Sequence, residues 1–314
     1  MRQRWQSLDD LRGLAVFVMV PVNVAASFTG IPAWFKHAPA IGLTLPDFVV
    51  PVFLFSLGLS ASFSFSARIA RDGFAKTLLH ALVRYGVLFA FGTIGILLVD
   101  RGSSWEILQM LGATGIFSFF FMLLPPWPRL GTAALLIAIV ETLRPMGLGG
   151  LMSQWYDSGI GGPWGTFSLS FFPIGASALG EMIRDASPRL RLIAPAAAAG
   201  VLFATGALAL VFFPFSKHLL SLSYLCVTGG TAAALLALLV LWREILRWPV
   251  PLLGSLGTNP LLLYMLHAVL GVAVHALFDD NAAPWIAWAA SLGVLAVCLA
   301  AALLLERKRI FIRL

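Results

Sequence analysis

Charge is scarce in this chain. Asp, Glu, Lys and Arg make up 11% of the 314 residues, 60% are hydrophobic, and the mean hydropathy is +0.92. A soluble protein of that composition has too few polar side chains to cover its surface, so a polytopic membrane protein is indicated. Cysteine is equally sparse. Cys226 and Cys298 sit inside apolar runs and read as reduced core residues, which carry no information about redox compartment or metal. The first apolar run lacks a small-residue cleavage site and is read as a retained span, not a signal peptide. No internal repeat is evident either, which weakens an inverted-repeat transporter reading.

What the chain does have is long apolar runs. A bilayer-crossing helix needs roughly 17–25 residues. Ten candidate segments fall at about 11–29, 45–66, 77–99, 107–125, 129–147, 164–182, 192–213, 219–242, 253–277 and 285–305. These predict an all-α polytopic membrane protein of about 10 transmembrane helices. They leave no stretch long enough for a separate soluble domain, so residues 1–314 are read as one transmembrane domain.

The net charge of +7 follows the same plan. Most basic residues collect on one side of the predicted spans, among them Arg2, Arg4, Arg12, Arg68, Arg71, Lys76, Arg129, Arg184, Arg243 and Arg313. The opposite ends keep Lys36, Arg101, Arg144 and Lys217. That asymmetry makes both termini cytoplasmic and explains the basic excess without nucleic acid. Asp100, Asp157, Asp279 and Asp280 fall on the outer side, and Trp34, Trp155, Trp164 and Trp285 read as interfacial anchors there.

The stretch from Asn23 to Asp47 joins the first two spans and carries the densest chemistry. Imidazole takes up and releases a proton near neutral pH, so His37 is a candidate for proton transfer. Asp47 suits a carboxylate that orients it, and Asn23 a donor to a developing oxyanion. The residues alone leave a second reading open, in which His37 is an ordinary wet-loop histidine beside Lys36. Pro21 and Pro51 are expected to free the carbonyls of Phe17 and Asp47 in the adjoining helices.

Toward the other side, SLDDLRG suggests Ser7 as an N-cap with Asp9 and Asp10 at the positive end of a helix dipole. Arg12, Arg84 and Glu181 lie deeper in apolar runs, where each needs a partner or a polar cavity. GTNPLLLYMLH supplies Asn259, Tyr264 and His267, the last two on one helical face. They read equally as interhelical hydrogen-bonding residues or as ligand contacts.

The segments SLDDLRGLAVFVMVPVN, WFKHAPAIGLTLPDFVVPVFLF, ILQMLG, GTFSLSFFPIGASALGEMIR and GTNPLLLYMLH occur in this order over nearly the whole chain. Together they resemble the heparan-α-glucosaminide N-acetyltransferase family, and the Trp-Phe-Lys-His segment followed by Gly-Leu-Thr and Asp is the most specific part. The resemblance implies transfer of acetyl from cytosolic acetyl-CoA, as donor substrate and with no metal, to the amine of a glucosamine-type sugar on the far side of a bacterial inner membrane. It implies His37 as the catalytic histidine with Asn23 beside it, acting either as a base or through an acetyl-histidine intermediate. Asp47 completes the catalytic set. Arg12, Arg84, Gln109 and Arg184 are the candidates for the donor, and Asn259, Tyr264 and His267 for the acceptor. The implied partners are a small amino sugar, acetyl-CoA and the lipid bilayer, with a homodimer plausible from the family and no nucleic acid. Met110 stands where family members often have a basic residue, and Ser103 and Ser104 replace basic residues before it. The large N-terminal domain of the animal enzymes has no counterpart in the sequence, which favours a small sugar as an expectation. The alternatives are an amino-sugar permease, in which His37 and Asp47 couple protons or recognise substrate, and an O-acetyltransferase of an envelope glycan.

Overall fold

The computed structural model describes residues 5–99, 105–144, 161–250 and 252–311. Arg2, Arg4, Asp100, Arg101, Ser103, Ser104, Trp155, Asp157 and Arg313 lie outside them. Every regular element among the described residues is helical. In order these are α1 (Gln6–Ala25), α2 (Val49–Asp72), α3 (Phe74–Val99), α4 (Ile107–Phe121), α5 (Pro126–Leu143), α6 (Gly162–Leu169), α7 (Phe171–Ile183), α8 (Pro188–Ala209), α9 (Leu222–Val240), α10 (Leu253–Leu256), α11 (Pro260–Leu277) and α12 (Pro284–Arg307). Short 3-10 turns cover Ala33–Phe35 and Leu45–Phe48, and a π turn, Leu241–Ile245, extends α9.

Each of the ten predicted segments overlaps a helix or a pair of helices. Among the described residues, six stretches are both long and apolar enough to cross a membrane: Leu45–Asp72, Phe74–Leu97, Pro188–Ala209, Leu222–Ile245, Pro260–Leu277 and Pro284–Arg307. They mark an integral membrane protein. The others differ for visible reasons. α1 has 20 residues but opens with Asp9, Asp10 and Arg12. α4 has only 15 residues, and α5 carries Arg129 and Glu141. The sixth segment is broken at Ser170 into α6 and α7.

α1 is the centre of the bundle and packs on α2, α9, α10, α11 and α12. Its two sides feed two apolar clusters: Leu11 with Leu59, Leu236 and Val240, and Val16 and Val20 with Leu263, Leu295 and Cys298. Both cysteines are buried and free, as core residues should be. Lipid is as apolar as leucine, so helices in a bilayer associate through close packing and polar contacts instead of the hydrophobic effect. Both are present along α1. A Cβ on Gly13 would overlap the Leu253 carbonyl oxygen, and one on Gly257 would overlap that of Asp9. Asp10, wholly buried, receives two hydrogen bonds from Arg243, at 2.7 and 3.0 Å.

One local expectation changes. Ser7 is not an N-cap: α1 already starts at Gln6, and the Ser7 hydroxyl donates to Glu244 at 2.8 Å. Pro51 sits in the first turn of α2, where a missing N–H costs the helix little, and as expected it leaves the Asp47 carbonyl without a helical donor. In α7 a Cβ on Gly180 would meet the Ser62 hydroxyl, whereas one on Gly175 would meet no atom within 4 Å. Glu181 finds its partner in Arg129, 2.9 Å away.

Candidate active site

The connection from α1 to α2 is poor in regular structure and dense in hydrogen bonds. The Thr44 and Ala38 N–H groups donate to Oδ2 of Asp47 at 3.0 and 3.3 Å, and the Thr44 hydroxyl donates to the same oxygen at 2.8 Å. The other carboxylate oxygen, Oδ1, lies 3.1 Å from Nδ1 of His37. Asp47 is buried, so this hydrogen-bonded web fixes it rigidly. His37 stays about half exposed and lines a cavity. A neutral imidazole that donates through Nδ1 keeps a basic lone pair on Nε2. In that tautomer Asp47 orients His37 as a proton acceptor toward the cavity.

Two groups that the sequence reading gave no role complete this corner. The Tyr224 hydroxyl donates to the Asp47 carbonyl at 2.9 Å, the carbonyl that Pro51 leaves without a helical donor. Lys217 brings its ammonium to 3.1 Å from Oδ1 of Asp47 and 3.0 Å from Nδ1 of His37. In the sequence Lys217 was visible only as one of the few basic residues at this end. The serines around it, in FSKHLLSLSY, were the signal of an ordered turn.

Asn23 lines the same cavity from α1, but its amide nitrogen meets His267, not His37, at 3.1 Å from Nε2. His267 is buried, with Tyr264 edge-on to it at 5.0 Å between ring centroids. Tyr264 reaches the cavity and His267 stands behind Asn23. A carboxamide has two N–H groups. One is held by His267, and the second remains for a ligand.

The cavity has a volume of about 1190 Å³ and runs between α1 and α2. At the far end it is lined by Arg12, Arg68, His80, Arg84, Arg184 and Arg191. Arg12 is braced by Asp9 at 3.2 Å and by the Ser60 hydroxyl. Arg84 lies over the Tyr85 ring, 5.5 Å from its centroid, and Arg184 pairs with Asp185. Asn259 belongs to this end as well. Its amide donates to the Ile310 carbonyl at 3.0 Å, and it precedes α11, two helical turns before His267. Asn259 and Tyr264 both line the cavity, whereas His267 stands behind that lining.

Gln109 joins neither end. Its Oε1 accepts the Glu106 N–H at 2.8 Å and its Nε2 donates to Thr93 at 3.0 Å, a capping box that starts α4 and ties it to α3. Both ends of the amide are engaged in structure, and the side chain is buried outside the cavity lining.

The sequence model for the heparan-alpha-glucosaminide N-acetyltransferase catalytic region matches residues 4–174, just over half of the chain. The chain belongs to that family. Two curated relatives carry the name heparan-alpha-glucosaminide N-acetyltransferase. The mouse protein is 33% identical over 134 residues, 38% of this chain and 20% of the relative. The human protein is 35% identical over 123 residues, 35% of this chain and 18% of the relative. The aligned part thus spans about a fifth of the length of these relatives.

The family region holds Arg12, Asn23, His37, Asp47, Arg84 and Gln109, whereas Arg184, Lys217, Asn259, Tyr264 and His267 lie beyond it. Both corners of the site are assembled from the two parts together. Met110, where the resemblance led to the expectation of a basic residue, is fully buried among Leu54, Ile137 and Leu169. Here that position is a core residue, which rules it out as an anion ligand.

Proposed function

We propose that this chain transfers the acetyl group of acetyl-CoA to the amine of a glucosamine-type sugar, with His37 as the reacting centre. The observation that carries the reading is the cavity itself. One continuous space joins a cluster of arginines to His37 and Asn23. From Arg12 to Asn23 along α1 is roughly 16 Å at the rise of an α-helix. A donor with a phosphate-rich head and a long thin arm ending in a thioester fits that shape and polarity. Arg12, Arg68, Arg84 and Arg184 suit the phosphates, since guanidinium groups bind them by paired hydrogen bonds.

Orientation follows the charge asymmetry of the sequence. With both termini and the arginine end in the cytoplasm, about ten spans cross a bacterial inner membrane, and His37 opens toward the far side. The acceptor then enters from the periplasm and the donor from the cytoplasm. In the reaction the sugar amine attacks the thioester carbonyl, forming the C–N bond. Nε2 of His37 takes the amine proton, and the free N–H of Asn23 stabilises the tetrahedral oxyanion. The C–S bond then breaks, and the proton on His37 passes to the leaving thiolate, giving CoA and the N-acetylated sugar.

The sidedness is tested in proteoliposomes with acetyl-CoA on one face and glucosamine on the other. The proposal predicts N-acetylglucosamine only in the sugar compartment. Product in the donor compartment, or product only when both substrates share a face, contradicts it.

A further inference from the structure

The segment that delivers Lys217 is built more firmly than a connecting loop requires. Between α8 and α9, the Ser216 and Ser221 side chains close the turn on itself. Ser221 Oγ accepts from the Ser216 N–H at 3.1 Å and donates to the Pro214 carbonyl at 2.8 Å, while Ser216 Oγ accepts the Leu219 N–H at 3.1 Å. Leu220 is held in the left-handed region, at φ +49°. Such a conformation persists in a non-glycine residue only when its surroundings impose it. α5 supplies that constraint. Arg144 donates to the Leu219 carbonyl at 2.6 Å, Glu141 accepts the Leu222 N–H at 2.8 Å, and the two pair with each other at 2.8 Å. From the opposite side the Gly42 N–H donates to the Phe215 carbonyl at 2.9 Å, tying the turn to the His37 loop.

All of this fixes one ammonium group against two functional atoms. Lys217 is 12% exposed, and its Nζ touches Oδ1 of Asp47 and Nδ1 of His37. An ammonium donates and never accepts. With a proton on Nδ1 it therefore competes with that N–H for the same carboxylate oxygen, and it can donate to Nδ1 itself only when that nitrogen is bare. We infer that Lys217 is a positioning residue for acyl transfer: it limits how tightly Asp47 holds the protonated imidazole, so that His37 gives its proton on to the leaving thiolate. The inference rests on the reading of His37 as the transfer base. The ionisable groups set against His37 are Asp47, from the turn before α2, and Lys217, from the segment before α9; Lys36 and His218 adjoin them in sequence.

Removing a cation from beside an imidazole favours its charged form. The test uses the full chain in detergent, as wild type, Lys217→Met and Lys217→Arg. Diethyl pyrocarbonate attacks only neutral imidazole, so its reaction at the His37 peptide, followed by mass spectrometry against pH, reports the proton on that ring without any acetyl transfer. In Lys217→Met the midpoint of that reaction is expected to move to higher pH, and in Lys217→Arg it is expected to stay near wild type. In the acetyl-transfer assay Lys217→Met should lower kcat by about tenfold or more with the KM for the sugar little changed. Coincident carbethoxylation profiles for wild type and Lys217→Met overturn the inference. Where methionine gives no monodisperse protein, Lys217→Gln replaces it, with the same expectation. A wild type without acetyl transfer sinks the enzymatic reading instead, while the carbethoxylation profiles still decide whether Lys217 governs His37.

Discussion

Asn23 on α1 and His267 on α11 meet at 3.1 Å, and the contact turns one face of the Asn23 amide toward the cavity. An oxyanion donor must be aimed before the charge develops, because reorientation during reaction forfeits much of its benefit. His267 is buried and packed edge-on against Tyr264, so it serves as a rigid support for that aim.

The two residues should therefore fail differently. Asn23→Ala is expected to lower kcat by about 10²- to 10³-fold, the range for losing an oxyanion donor. His267→Ala leaves the amide in place but unaimed, and a smaller loss, about tenfold, is expected. Steady-state kinetics on both variants make the comparison, and equal losses would contradict the division of roles.

At the other end, Arg84 and Arg68 face the cavity where the donor head is proposed to bind. A charged hydrogen bond contributes about 1.5–3 kcal/mol. Arg84→Ala should thus raise the KM for acetyl-CoA by about 10- to 100-fold and leave that for the sugar nearly unchanged. Gln109→Ala should not raise it, because the Gln109 amide is engaged with Glu106 and Thr93. An acetyl-CoA defect in Gln109→Ala without loss of thermal stability would count against this arrangement.

The Asp10–Arg243 pair is a matter of stability. Asp10 is fully buried, and its two hydrogen bonds tie the start of α1 to the π turn after α9. Asp10→Ala leaves the guanidinium without its carboxylate, a change that costs about 3 kcal/mol in comparable buried pairs. A fall in Tm of roughly 5 °C or more in detergent is expected. An unchanged Tm would show that water already satisfies Arg243.

The legible and illegible parts of the site divide by distance along the chain. His37 and Asp47 are ten residues apart in one connection, so pattern and residue type were enough to pair them. The carbonyl that Pro51 leaves open was also legible, although its donor was not. Lys217 and Tyr224 reach Asp47 from a segment some 170 residues away, and no periodicity announces such a contact. Asn23 was read as the partner of His37, but α11 brings His267 to it through packing that only the folded bundle defines. Gln109 shows the converse. Its place in a family block suggested a ligand, while the local rule that a glutamine three residues into a helix closes a capping box described it better. The long apolar runs were the easiest to read. Charge within α1 and the break at Ser170 separate the helices that plainly qualify as spans from those that do not.

The central claim is that His37 carries acetyl transfer. Its most direct measurement uses purified protein in detergent with radiolabelled acetyl-CoA and glucosamine, comparing wild type with His37→Ala. The account predicts labelled N-acetylglucosamine from wild type and a loss of about 10²- to 10⁴-fold in the variant, the range for a missing general base. Equal product from both proteins would contradict it.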